Sequence, residues 1–166
     1  MSMSQAILGE FNHEAVNTRK MLEAVPEERF GWQPHEKSMT LSRLAGHIAE
    51  IPGWAAQMVG KEEFDMGGGN YQPVQPETVA ELLQEHDRSV AAFQQALDGA
   101  DDATLLRSWV LKSGGEVLLQ MPCIAAMRGF VLSHVVHHRG QLSVFLRLLD
   151  VPLPQVYGPT ADNQGF

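Results

Sequence analysis

Apolar residues recur at three- and four-residue intervals along four stretches of the chain, and this spacing predicts helices over residues 4–25, 40–58, 78–97 and 122–150. In the first, Ile7, Leu8, Phe11, Ala15, Leu22 and Val25 share a stripe, which Pro26 ends because proline disfavours helical geometry in the residue before it. The second starts where Thr40 can cap and sets Leu44, His47, Ile51, Trp54 and Met58 on one face. Pro52 has no amide to bond the Ile48 carbonyl, so a kink is expected about one turn past His47. The third opens with Thr78 and Glu81 in capping-box spacing, stripes Leu82, His86, Phe93 and Leu97, and meets Gly99 where it should stop. In the fourth, Pro122 suits the first helical position, and Met127, Val131, His134, His138, Phe145 and Leu149 share a face.

The connections are long: 14 residues around GWQPHEKSM, 19 around MGGGNYQP and 24 through SWVLKSGGEVLLQ. Connections of that length can run the whole length of a helix, so they leave the order of the helices in space open. The last can close a small hairpin across Ser113, Gly114 and Gly115 before the final helix. The expected fold is therefore all-α, a four-helix bundle in one domain over residues 1–166, since no repeat, low-complexity tract or composition break divides the chain.

Composition narrows the function classes. A chain of 166 residues can bury its own core without a structural metal, so a metal here would serve function first. Twenty acidic residues against twelve Lys and Arg give a formal charge of −8, with no basic run, which argues against nucleic acid as a partner. No stretch approaches the ~20 apolar residues of a membrane span, and the N-terminal residues lack the basic and apolar segments of a signal peptide. Cys123 is the sole cysteine, so a reducing cytoplasm is the expected compartment.

The chemistry lies in the histidines. His134 and His138 are four apart, which puts both imidazoles on one helix face about a turn apart, as two ligands of one ion require. Two histidines at this spacing can equally be a satisfied polar pair. His47, mid-helix on an apolar stripe, is the candidate third ligand, because a buried imidazole otherwise needs polar partners at both nitrogens. Three imidazoles leave coordination positions open and suit Zn, Ni, Cu or Fe rather than Mg or Ca. The segment reads HVVHH, with no glutamate after the first histidine, so the zinc-protease pattern is absent. No Asp or Glu is read on the ligand faces of the second or fourth helix. A hydrolytic base would then have to come from a loop, with Glu36 or Asp65 as candidates.

Other residues carry weaker expectations. His86 falls on the apolar face of the third helix, either as a satisfied core histidine or as a residue supporting or lining the site. Gln141 lies within about 20° of His134 around the helix and can bond a metal-held water. Trp54 and Met58 either pack the core or line a pocket. His137 points to the rim, His13 and His35 to solvent, and Cys123 reads as a buried inert thiol.

The segments PHEKSMTLSRLAGHIAEIPGW and SHVVHHRGQLSVFLRLLDVPLPQVYGPTAD resemble the second helix and the last helix and tail of the DinB/YfiT-like superfamily. The likeness rests on the lone helix-2 histidine, the HxxxH of the last helix, the following RGQL and the YGP tail. It implies a four-helix bundle in which His47, His134 and His138 hold one divalent transition metal, Zn or Ni. It also implies a homodimer acting on a small molecule. Characterised members of that superfamily include thiol-dependent transferases and a thiol-dependent isomerase of a small dicarboxylic compound. The expected function is thus a metal-dependent S-transferase using a low-molecular-weight thiol, or a related detoxification enzyme. The alternatives are a metal-dependent hydrolase and a catalytically silent metal-binding stress-response protein.

Overall fold

The computed structural model describes residues 2–69 and 71–164, so Asn70 of the expected 59–77 connection lies outside the described residues. The chain runs through α1 (Met3–Glu23), α2 (Leu41–Glu50), α3 (Trp54–Gly60), β1 (Glu63–Asp65), α4 (Val79–Asp98), α5 (Asp102–Leu106), β2 (Ser108–Ser113), β3 (Glu116–Pro122), α6 (Cys123–Met127) and α7 (His134–Leu148).

The helix starts follow their capping chemistry. The Ser2 hydroxyl accepts from the Gln5 amide while the Gln5 side chain accepts from the Ser2 amide, closing a capping box at α1. Thr40 caps α2 through the Arg43 amide, and Thr78 caps α4 through the Glu81 amide. Glu81 returns its carboxylate to the Glu77 amide rather than to Thr78, so only half of the expected box forms at α4.

α2 is the central element. Of its ten residues only Arg43 escapes full burial, and Ala45, Gly46 and Ala49 keep the helix thin enough for neighbours to close on every side. α4 and α7 pack against it and α1 packs on those two, with the Phe11 and Phe93 rings stacked between α1 and α4 at 3.6 Å. The helix expected over 40–58 is interrupted at Pro52, as the missing amide requires: a 3₁₀ turn over Ile51–Gly53 separates α2 from α3. The helix expected over 122–150 is also composite. A π-helical segment, Arg128–Ser133, lies between α6 and α7 and ends directly before His134.

The all-α expectation is wrong. The fold is mixed α/β, with a three-stranded sheet ordered β1-β2-β3. β2 and β3 form an antiparallel hairpin closed by Gly114 and Gly115 at φ 60° and 85°, the positive values that a two-residue turn of the right twist needs. β1 then adds in parallel to β2, pairing Phe64 with Leu111. The sheet forms because Trp109 and Leu111 alternate along β2 towards the interior, where they are 2% and 9% exposed. Asp65 ties the two pieces together: its carboxylate accepts from the amides of Gly67, Gly114 and Gly115, which holds its pKa below the usual carboxylate value. Gly67 sits so close to the hairpin turn that a Cβ there would stand 2.3 Å from the Gly114 nitrogen.

Candidate metal centre

Helix geometry brings the three sequence-selected histidines together. α2 presents His47 towards α7, and the π-helical segment delivers His134 and His138 one turn apart on the facing side. Ring centroids lie 5.1 Å apart for His47 and His134, 4.7 Å for His47 and His138, and 4.6 Å for His134 and His138. Each ring offers a nitrogen, and the three nitrogens lie within 4.8 Å of one another.

Partner chemistry assigns which nitrogen that is. His47 Nδ1 lies 2.8 Å from Glu50 Oε1, His138 Nδ1 2.7 Å from Gln141 Oε1, and His134 Nδ1 3.3 Å from the Phe130 carbonyl oxygen. These three partners are acceptors, and on His47 Nδ1 the Glu50 oxygen lies closer than the donating Arg43 nitrogen at 3.4 Å, so each Nδ1 carries the proton, and in the neutral ring each Nε2 is left with a bare lone pair. Nε2 of His134 and His138 nevertheless stand only 2.9 Å apart. Two lone pairs at that distance repel unless a cation lies between them. Burial, joined by the charges of neighbouring imidazoles and opposed by the Gln141 bond, pushes His138 down to about 4, and burial also lowers His134, so a shared proton is disfavoured. The donor set therefore fits a divalent transition metal. Nitrogens bound at about 2.0–2.1 Å on a tetrahedral ion stand roughly 3.3 Å apart, between the 2.9 Å of the His134 and His138 pair and the 4.8 Å that bounds all three.

Behind His47 lies a carboxylate missed from the sequence. Glu50, three residues on and 6% exposed, accepts from His47 Nδ1, from both Arg43 terminal nitrogens at 3.1 Å and from the Tyr71 hydroxyl at 2.5 Å on Oε1, and from the Val74 amide on Oε2. Burial alone would raise its pKa. The bonds from His47, Tyr71 and Val74 and the charge of Arg43 outweigh this and hold it below the usual value. The spacing Arg43, His47, Glu50 on one helix face was readable; a search for a base facing the ion passed over a partner behind the imidazole. Tyr71 and Val74 come from the 71–77 segment, which can lie on α2 because Gly46 has no side chain: a Cβ there would stand 2.5 Å from the Val74 carbonyl oxygen. Tyr71 itself is pushed up to about 12 by burial and by Glu50.

His47 and His134 line one end of a cavity of about 450 Å³. Trp54 stands against them, its ring 5.6 Å from His47 and 5.5 Å from His134, and so lines the site; Met58 lines the same cavity while 4% exposed. The opposite wall is the sheet, through Phe64 of β1 and Trp109 and Leu111 of β2.

Gln141 orients His138 through Nδ1 instead of facing the ligand side. His86 is buried outside the histidine cluster, with Nδ1 at 3.4 Å from Asp87 and Nε2 without a partner, and burial lowers its pKa. His137 is exposed with its ring 4.8 Å from His138, and His13 and His35 are exposed. Cys123 is fully buried, donates to the Met58 carbonyl, and is pushed up by burial, the signature of an inert thiol. Neither loop carboxylate is placed as a base: Glu36 is exposed away from the cavity, and Asp65 is committed to three amides.

The DinB family model matches residues 1–164. The chain belongs to the DinB family. It is 26% identical to the uncharacterized protein YrdA of Bacillus subtilis over 156 residues, 94% of this chain and 89% of that protein. A DinB-like protein of Bacillus cereus ATCC 10987 superposes with a TM-score of 0.72 at 25% identity, covering 92% of this chain and 97% of that one. A mycothiol-dependent maleylpyruvate isomerase shares the fold at a TM-score of 0.53 and 15% identity, over 89% of this chain and 61% of that one. No described helix is long and apolar enough to cross a membrane.

Proposed function

We propose that this DinB-family protein is a divalent-metal-dependent S-transferase using a low-molecular-weight thiol, or a detoxification enzyme of closely related chemistry. The observation that carries this reading is the set of three converging imidazoles whose Nδ1 atoms are held by protein acceptors, two of which, His47 and His134, line an apolar cavity. A thiol-dependent isomerase of the same fold supports the thiol as co-substrate.

His47, His134 and His138 would hold the ion, Zn or Ni. It would supply the positive charge that keeps a thiol deprotonated near neutral pH. Glu50 and Gln141 fix the ring orientations, and Glu50 makes His47 a stronger donor by accepting its Nδ1 proton. The cavity excludes water from the reacting sulfur. In the transfer, the thiol proton leaves to solvent, the sulfur bonds the electrophilic carbon, and the leaving group departs with the bonding pair. No base facing the ion is required, in keeping with a Glu50 whose lone pairs are already taken.

We further propose that the enzyme works in the cytoplasm as a homodimer; the exposed apolar row Val136, Val144 and Leu148 on α7 supports an assembled state. The test is a Co(II)-substituted sample titrated with low-molecular-weight thiols. A thiol-dependent shift of the visible spectrum is expected. A spectrum indifferent to thiol would overturn the transferase and leave a metal-binding protein without this reaction.

A further inference from the structure

Polar and apolar residues are segregated along the cavity. The polar end holds His47, His134 and Arg43, joined by Tyr71, whose hydroxyl accepts from Arg43 and donates to Glu50. From there the wall turns apolar. Phe130 lies four residues before His134, and its carbonyl accepts from His134 Nδ1. Trp109 comes next, its ring 6.2 Å from that of Phe130. Two residues on, on the same face of β2, Leu111 pairs with Phe64 of β1. Among the described residues that line the cavity, Arg43 alone carries a fixed charge; paired with Glu50, it stays at the histidine end, 3.4 Å from His47 Nδ1. An ion held by the histidines would add its charge at that same end. The sheet end offers no counterpart, since the Trp109 indole nitrogen is itself buried rather than open to a ligand. An anionic group is therefore matched against the histidines, whereas at the sheet end it would lose its hydration against aromatic rings with nothing to replace it. The volume, about 450 Å³, falls within the range of sites that enclose a small organic molecule.

We infer that the acceptor is a molecule with two unlike ends: one polar or anionic group beside its reacting carbon, placed at the histidine end against the ion, and a flat aromatic body lying beneath the sheet. This rests on the transferase reading above, since it names the substrate class of the same site, with the thiol sulfur taking another open position of the ion. Phe64 and Leu111, paired across β1 and β2, then set how long a body is accepted and bar a charge from its far end.

The test titrates Zn-loaded protein calorimetrically with three carboxylates that share one head: acetate, 2-naphthoate and naphthalene-2,6-dicarboxylate. 2-Naphthoate is expected to bind at least tenfold more tightly than acetate, which has no body to bury. It is also expected to bind at least tenfold more tightly than the dicarboxylate, whose second charge falls at the sheet end. Stripping the metal with a chelator is expected to weaken 2-naphthoate at least tenfold, as a head seated on the ion requires. Phe64→Arg, on a half-buried edge-strand position, places a cation in the far wall and is expected to narrow the ratio of 2-naphthoate to dicarboxylate affinity at least fivefold. Phe64→Ala, expected to weaken 2-naphthoate and leave acetate unchanged, serves if the arginine variant does not fold. Acetate or the dicarboxylate binding as tightly as 2-naphthoate, no binding of any of the three, metal removal without effect, or variants that leave the ratios unchanged would overturn the proposal. Its failure is separable from failure of the transferase reading: a Co(II) spectrum that responds to thiol while 2-naphthoate binds no more tightly than acetate sinks the aromatic acceptor alone. The expected order of carboxylates with a thiol-indifferent spectrum sinks the transfer and leaves the two-ended binding site.

Discussion

Two adjacent residues of α7, His138 and Arg139, anchor two buried polar clusters with opposite accounts. Arg139, 3% exposed, faces α1, where it donates to the Glu14 carbonyl and carboxylate, the Thr18 hydroxyl and the Tyr157 hydroxyl, while Tyr157 donates to the same Glu14 carboxylate. The set is closed, and it pins the YGP tail to the helices. His138, 8% exposed, faces α2, where each ring uses one nitrogen on a protein acceptor and keeps the other. A saturated cluster holds a fold together; a cluster with convergent lone pairs left over is built for something it does not itself contain.

The contrast can be broken from the saturated side first. Arg139→Met leaves the Glu14 carboxylate, 14% exposed, without its cation. Urea denaturation is expected to show a loss of about 3–5 kcal/mol, with metal content per folded molecule unchanged. A next-largest effect is expected at Gly46→Ala, whose Cβ would collide with the Val74 carbonyl and push the 71–77 segment off α2. The expected cost is about 1–3 kcal/mol, and the Tyr71 and Val74 bonds to Glu50 should be lost with it, lowering metal affinity as well. Glu50→Gln sharpens the other side: the fold survives, since an amide oxygen can still accept from His47, but metal affinity measured by competition with a chelator should fall about 10–100-fold.

The smallest effect belongs to His86, whose buried Nε2 has no partner. Its folded pKa is depressed by burial, so below the unfolded value near 6.5 the unfolded chain binds the proton more readily. The stability this neutral ring supports is present above that pH and is lost as pH falls. His86→Leu should flatten the stability profile between neutral and mildly acid pH, measured by thermal melts across that range. An unchanged slope would show that His86 is not the group responsible.

Much of this contrast was legible in the residues. The stripes over 4–25 and 78–97 became α1 and α4, Thr40 and Thr78 capped where their side chains allow, and Pro52 broke the second helix where its missing amide falls. Helical periodicity put His47, His134 and His138 on inward faces, as it did His86, and the resemblance to the DinB/YfiT-like superfamily singled out the three as a ligand set. The sheet was not. β1 is only three residues long, and its parallel partner β2 lies some 45 residues further along the chain, a pairing that no local pattern announces. Reading the fold as all-α therefore hid the wall that shapes the cavity. The π-helical turn before His134 escaped for a similar reason, since its apolar positions look helical in either register. Glu50 was readable at the third position after His47, whereas Tyr71 reaches the site from a loop whose course is set by Gly46.

The central claim is that three ring nitrogens from α2 and α7 share one ion. Elemental analysis of protein purified without a metal-binding tag tests it directly, comparing the wild type with His47→Ala, His134→Ala and His138→Ala. The account predicts about one divalent transition-metal ion per chain in the wild type and its loss in each single variant. A wild type that stays metal-free after incubation with Zn or Ni, or variants that keep the metal, would contradict it.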